Sequence, residues 1–176
     1  MTLGEGKKKV YELLDEYSSG GEITVDEDIE LKMADFFDIA QKELANLVPI
    51  VRLYVPEESG EITMPDDFLR LIRVWRNGKP WRGGTWKAGK LYASGNIEIE
   101  YLASPATVDA DTEDNYVFEI DDNAAQAMPF YVAAQQLLVD LVMDYAAPLG
   151  IWERRKQELA ARCDGTQQGV RQTLYR

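Results

Sequence analysis

No histidine occurs anywhere in the 176 residues. Histidine is the usual general base near neutral pH and the commonest metal ligand, so Ser–His–Asp and Cys–His mechanisms are removed outright. Cysteine is nearly as scarce. Cys163 stands alone, which excludes an internal disulfide and leaves a zinc site without its usual ligands. No apolar run is long enough to cross a bilayer. The start, MTLGEGKKKVYELLDEY, has a basic cluster with no apolar stretch behind it and does not read as a signal peptide. Positive charge is also short: 19 Lys and Arg stand against 31 Asp and Glu, a net charge of −12. Such a surface repels nucleic-acid phosphates and anionic membranes. A glycine-rich phosphate loop is missing too, since Gly83-Gly84 lacks the required partner spacing.

What is present is enough apolar residue, 45%, for one domain with a real core. Residues 3–17 read as a first helix, with Leu3, Val10, Leu13, Leu14 and Tyr17 on one face, stopped near Gly20-Gly21. A second helix is expected over 25–47. Thr24 and Glu27 have capping-box spacing, and Ile29, Met33, Phe36, Phe37, Ala40, Leu44 and Leu47 form its apolar stripe. From 50 to 102 the period changes towards two, with Asn77-Gly78 as a hairpin turn and further turns at Gly89 and Gly95-Asn96, which predicts a small antiparallel meander.

A polar loop follows, then a third helical region over 118–146, broken or kinked by Pro129 near Met128. Phe130, Ala134, Leu137, Leu138, Leu141 and Tyr145 are expected on its buried side, with Gln136, Asp140 and Asp144 as a narrow polar stripe. Pro148 and Gly150 punctuate, and 151–163 reads as a short last helix. The expected fold is therefore mainly α: a single helical domain over 1–163, a bundle with a β-meander insertion at about 50–102 between helices 2 and 3, and an extended C-terminal tail over 164–176.

Few residues suggest chemistry. Asp121 and Asp122 precede an apolar helix, where aspartate accepts from free N–H groups and complements the helix dipole, so both are assigned to capping. The stretch DADTEDN at 109–115 fails as a calcium loop, because Asp114 and Ile120 occupy the positions that need glycine and glutamate. Asp66 and Asp67, with Glu98 and Glu100 downstream, resemble the acidic set of metal-dependent nucleases but lack its lysine. Trp75, Arg76, Trp81, Arg82 and Trp86 interleave aromatic and basic side chains; the acidic total favours a protein partner over nucleic acid. Past Trp152 the balance turns basic, with Arg154, Arg155, Lys156, Arg162, Arg171 and Arg176 against Glu153, Glu158 and Asp164. Val170, Leu174 and Tyr175 offer apolar anchors in the tail, and Arg171 and Arg176 offer forked donors to carboxylates.

The phrases EITVDEDIELKMADFFDIAQKELANL, ITMPDDFLRLIRVWRNGK, NIEIEYLASP, FEIDDNAAQAMPFYVAAQQLLVD and ERRKQEL, in this order, resemble the head–tail connector (adaptor, or head-completion) proteins of tailed bacteriophages. The resemblance covers most of the chain through element order and short phrases. It implies a helical bundle with a β-insertion, no enzymatic activity and no cofactor. It also implies a virion protein of the head–tail interface, assembled in the host cytoplasm as a ring of about twelve copies under the portal. Its partners would be the portal, other neck or tail-completion proteins and itself, with packaged DNA passing the lumen without sequence-specific binding and no membrane involved. Val170, Arg171, Leu174, Tyr175 and Arg176 would face the portal, and Trp75, Arg76, Trp81, Arg82 and Trp86 the tail side or a neighbouring subunit. Two other classes compete: an acidic, non-enzymatic interaction module and a carboxylate-only metal-dependent hydrolase.

Overall fold

The computed structural model describes residues 1–17, 27–57, 60–87, 89–139 and 143–173, with side chains described outside 15–17, 27–30, 143 and 163–173. The chain divides into two compact units, Met1–Val48 with Thr107–Arg176, and Pro49–Ala106. It is 46% helical with 27% strand in two antiparallel sheets, so it is a mixed α/β protein and not the mainly helical bundle expected from the sequence. The reason is local. The insertion supplies seven strands, enough to close a core of its own, where a few strands would have needed the helices for cover.

In the helical unit, α1 (Leu3–Tyr17) and α2 (Glu27–Leu47) lie where the periodicity puts them. Helix α1 opens with a capping box absent from the sequence-based expectations. The Thr2 hydroxyl accepts from the Glu5 N–H at 3.2 Å, and the Glu5 carboxylate accepts from the Thr2 N–H at 2.8 Å. The Thr24 cap lies outside the described residues, as does the Glu27 side chain. Met33, Phe37, Ala40 and Leu44 are fully buried. Phe37 packs over Gly6, where a Cβ would come within 2.9 Å of the ring, so only glycine lets α1 approach so closely.

Pro129 breaks the third helical region rather than kinking it. A four-residue α3 (Asp122–Ala125) stops, and α4 (Met128–Val139) restarts with Pro129 as its second residue, where the missing N–H costs nothing. Helix α4 is central and packs against α1, α2 and α5 (Ala146–Thr173). Because it is covered on three sides, the expected stripes do not hold. Gln136 and Leu137 are each 3% exposed, whereas Leu138 is 44% exposed near the helix end. Asp140 and Leu141 lie outside the described residues.

Helix α5 begins earlier and ends later than the sequence suggests. Pro148 is its third residue, tolerated in a first turn, and Gly150 lies within it. It continues to Thr173, so 164–173 is helix and not an extended tail: Gln167, Gln168, Arg171 and Gln172 favour helix, no proline follows Pro148, and two isolated glycines slow a helix without ending it. Trp152 is buried against Tyr131, ring centroids 5.2 Å apart.

The β unit is not a simple meander. Strands β1 (Ile50–Tyr54), β7 (Ile97–Ala103), β3 (Phe68–Arg76) and β4 (Lys79–Trp81) form one sheet in that order. Strands β2 (Gly60–Thr63), β6 (Lys90–Ala93) and β5 (Thr85–Lys87) form the other. The β3–β4 hairpin turns through Asn77 and Gly78 at φ 52° and 72°, as the dipeptide predicts. Strands β1 and β2, however, pair with the distant β7 and β6. The two sheets share a core of Ile62, Val74, Leu91, Ala93, Ile97 and Ile99, with Tyr54, Met64, Leu71 and Trp81 at its margin.

Candidate interaction surface

The four-stranded sheet has two unlike faces, and the partly buried partner of one arginine helps decide which is which. Strand β1 reads Ile50, Val51, Arg52, Leu53, Tyr54. Its alternation puts either Arg52 or the pair Val51 and Leu53 outward. Arg52 goes inward because its guanidinium pairs there with the Asp67 carboxylate. The Tyr101 hydroxyl donates to the same carboxylate at 3.0 Å. Burial first, then that bond to Asp67, pushes the Tyr101 phenol above the usual tyrosine value. Phe68 lies 5.7 Å from the Tyr101 ring and 6.0 Å from Trp86 of the second sheet, in near-parallel stacking with the latter.

Val51 and Leu53 are consequently turned to water, and Val55 just beyond continues the alternation. On the same face β7 presents Leu102, Glu100 and Glu98, and β3 presents Arg70, Arg73 and Trp75 as their cross-strand neighbours. Strand β3 is irregular. Its register shifts between Phe68 and Arg70 and again between Leu71 and Arg73, leaving Leu69 and Ile72 as the extra residues of two bulges. The exposures are Val51 53%, Leu53 60%, Val55 59%, Leu69 59% and Ile72 42%. Val51, Leu53 and Val55 thus form an apolar row in water along the edge of the sheet, with Leu69 and Ile72 exposed on β3 across the Glu98, Glu100, Arg70 and Arg73 side chains, and an exposed apolar row of this kind marks a contact site. Strand β1 is also a sheet edge, with no proline, bulge or outward charge to protect it.

The aromatic and basic residues singled out in the sequence do not form one surface. Trp75 stands on the outer face, with the Arg73 guanidinium 5.4 Å from its ring. Trp81 pairs with Val74 and faces the core, under the Arg76 guanidinium at 5.5 Å. The backbone of Gly83 and Gly84 crosses its ring so closely that a Cβ at Gly83 would meet the indole nitrogen at 2.6 Å. Trp86 lies in the other sheet against Phe68, and Arg82 is exposed past the end of β4. The split follows from the period of two, which sends Trp75 and Arg76 to opposite faces. The side chains of Val170 and Arg171, and the whole of Leu174, Tyr175 and Arg176, lie outside the described residues.

The acidic candidates resolve into structural roles. Asp121 is the α3 cap, accepting from the N–H groups of Asn123 at 2.9 Å and Ala124 at 3.4 Å. Asp122 is the first helical residue, favourably placed against the helix dipole. Asp67 faces Tyr101, whereas Glu98 and Glu100 point to the opposite side of the sheet, so the nuclease-like set never converges. Asp109 holds its own turn, accepting from the Asp111 N–H at 3.1 Å and the Thr112 hydroxyl at 2.8 Å. Among the described residues, no three acidic or cysteine side chains gather to hold a metal ion.

Set against known proteins, no family model matches this chain and no curated protein matches its sequence.

The aliphatic face escaped sequence reading. Its signal was present in IVRLYV as strict alternation, but both halves of that alternation contain apolar residues. The pairing of Arg52 with Asp67, fifteen positions on, is what breaks the tie.

Proposed function

We propose that the chain is a non-enzymatic assembly protein: a ring-forming component of a tailed-phage head–tail connector. The observation that supports assembly is the exposed aliphatic row of Val51, Leu53 and Val55 along the open edge β1, with Leu69 and Ile72 also in water on β3. Its proposed occupant is a second copy of the chain. Copies that each carry a net charge of −12 repel one another over most of their surfaces. On this face Arg70 and Arg73 balance Glu98 and Glu100, so two copies can approach there without that penalty. The step from assembly to a phage neck rests on the resemblance of the ordered phrases described above. In that setting the portal is the partner on one side and a neck or tail-completion protein on the other. An acidic lumen wall lets DNA pass without gripping its phosphates. Residues 170–176 are the proposed portal contact. The test is electron microscopy of the purified protein mixed with portal rings of the same phage. Added ring density under the portal is expected; a chain that stays monomeric and leaves the portal bare overturns the proposal.

A further inference from the structure

The helical unit holds a cleft of about 350 Å³, lined by Asn123 of α3, Gln126 just past its end, and Arg155, Glu158, Leu159 and Arg162 from α5. Leu159 is buried and forms its floor. Arg155 and Arg162 are two turns apart on one stripe of α5 and form one wall. The Gln126 carboxamide oxygen already accepts from the Lys9 ammonium, so its donor end is what remains to offer. Glu158 stands on the rim and meets Arg155 only at 3.5 Å. In a strongly acidic chain, this cleft gathers two guanidiniums, two carboxamides and a nearby ammonium around a single carboxylate, that of Glu158, so donors outnumber acceptors there.

The chemistry that fits is a pair of carboxylates, which arginine receives through parallel N–H donors. The same unit displays one. In the turn 109–114, Asp109 is spent on holding the backbone, and Asp111 and Glu113 are exposed on a loop already organised by those bonds, with one Glu113 oxygen accepting from the Asn115 carboxamide at 3.1 Å. Little ordering is then lost on docking. Within one copy no residue of the turn lines the cleft. The turn is tied to α1 through Lys7, which bonds Asp114 at 2.7 Å, while the cleft is tied to α1 through Lys9. Two residues along a helix rotate side chains by about 200°, so the two patches flank opposite sides of α1.

We infer that the α3–α5 cleft receives the Asp111 and Glu113 carboxylates of a neighbouring copy, forming a head-to-tail contact. Two different patches of one chain, meeting in this way, make a heterologous interface, which generates a ring when the rotation closes. The inference rests on the assembly reading above and adds an electrostatic contact to the apolar one.

Two charge reversals test it: Arg155→Glu with Arg162→Glu, and Asp111→Lys with Glu113→Lys. Circular dichroism melts confirm that each is folded, and light scattering and native mass spectrometry follow association over a concentration series. Each reversed protein alone is expected to associate about ten-fold more weakly than the wild type. An equimolar mixture should recover association, because each cleft then meets a turn of opposite sign. If wild type associates and either folded reversal associates equally well, or the mixture recovers nothing, the cleft assignment falls while the assembly reading stands. A wild type that stays monomeric throughout, with and without portal rings, overturns both. A cleft that instead retains duplex oligonucleotide, in a manner lost with Arg155→Glu and Arg162→Glu, belongs to phosphate and not to a neighbouring turn.

Discussion

The two units of this chain bury apolar side chains to different degrees. In the longer helical unit Leu3, Met33, Phe37, Leu44, Met128, Val132 and Trp152 are all essentially inaccessible, even Gln41 and Gln136 lie inside, and the aliphatics in water (Leu31, Ile39, Val117, Leu138 and Val139) are scattered over several elements. The shorter β unit has a core of six small-to-medium residues and leaves almost as many aliphatics in water, three of them along one edge strand and its continuation. Propensity does not account for this, since Val, Leu and Ile are abundant in both. A helix packed against three others is covered over most of its surface, whereas a sheet always has two faces, and in β1, β7 and β3 only one of them meets the second sheet. The difference lies in arrangement: the exposed aliphatics Val51, Leu53 and Val55 line one edge of the β unit, whereas those of the helical unit are spread over several elements.

The contrast is broken most severely in the helical core. Trp152→Ala removes a buried indole packed on Tyr131 and is expected to cost about 3–5 kcal/mol, measured by chemical denaturation. A cost near zero would show that α5 is not part of this core. The neighbouring pair on α4 sharpens the point. Leu137→Ala should lose about 2–5 kcal/mol and Leu138→Ala under about 1 kcal/mol, because only the first is enclosed. Equal thermal shifts for the two would contradict the packing of α4.

Within the β unit, Tyr101→Phe removes the hydrogen bond to Asp67 and should cost about 1 kcal/mol at neutral pH. The fold holds this phenol above its ordinary value by burial and by Asp67, so it favours the neutral form. That contribution is complete below the unfolded value of about 10 and is lost as pH rises through the higher folded value. Hydrogen exchange of the β7 amides should therefore accelerate in alkali for the wild type and less so for Tyr101→Phe. A cap effect of similar size belongs to the helical unit: Asp121→Ala should cost about 1 kcal/mol in thermal unfolding and Asp121→Asn only a fraction of that. If Asn were as damaging as Ala, the charge and not the cap would be what matters.

The smallest stability effect is expected on the outer face. Val51→Ser with Leu53→Ser should change the unfolding free energy by less than about 0.5 kcal/mol per site while reducing self-association in light scattering. A large loss of stability there would mean that the face is covered within a single copy.

Much of the helical unit was determined by sequence alone, because a period of 3.6 with caps is a local signal. The bounds of α1, the buried stripe Met33, Phe37, Ala40 and Leu44, the Asp121 cap and the turn at Asn77-Gly78 all follow from residues within a few positions of one another. What depends on distant residues was not legible. Leu138 and Gln136 exchanged their expected places because three other helices surround α4, and α5 ran through Pro148 and beyond Cys163 because neither proline in a first turn nor an isolated glycine obliges a helix to stop. The pairing of β1 with β7 joins residues about fifty positions apart, and no local pattern specifies it. The interaction surface belongs to this second kind. The alternation of IVRLYV defines two faces, and the distant Asp67, by drawing Arg52 inward, decides which of them meets water.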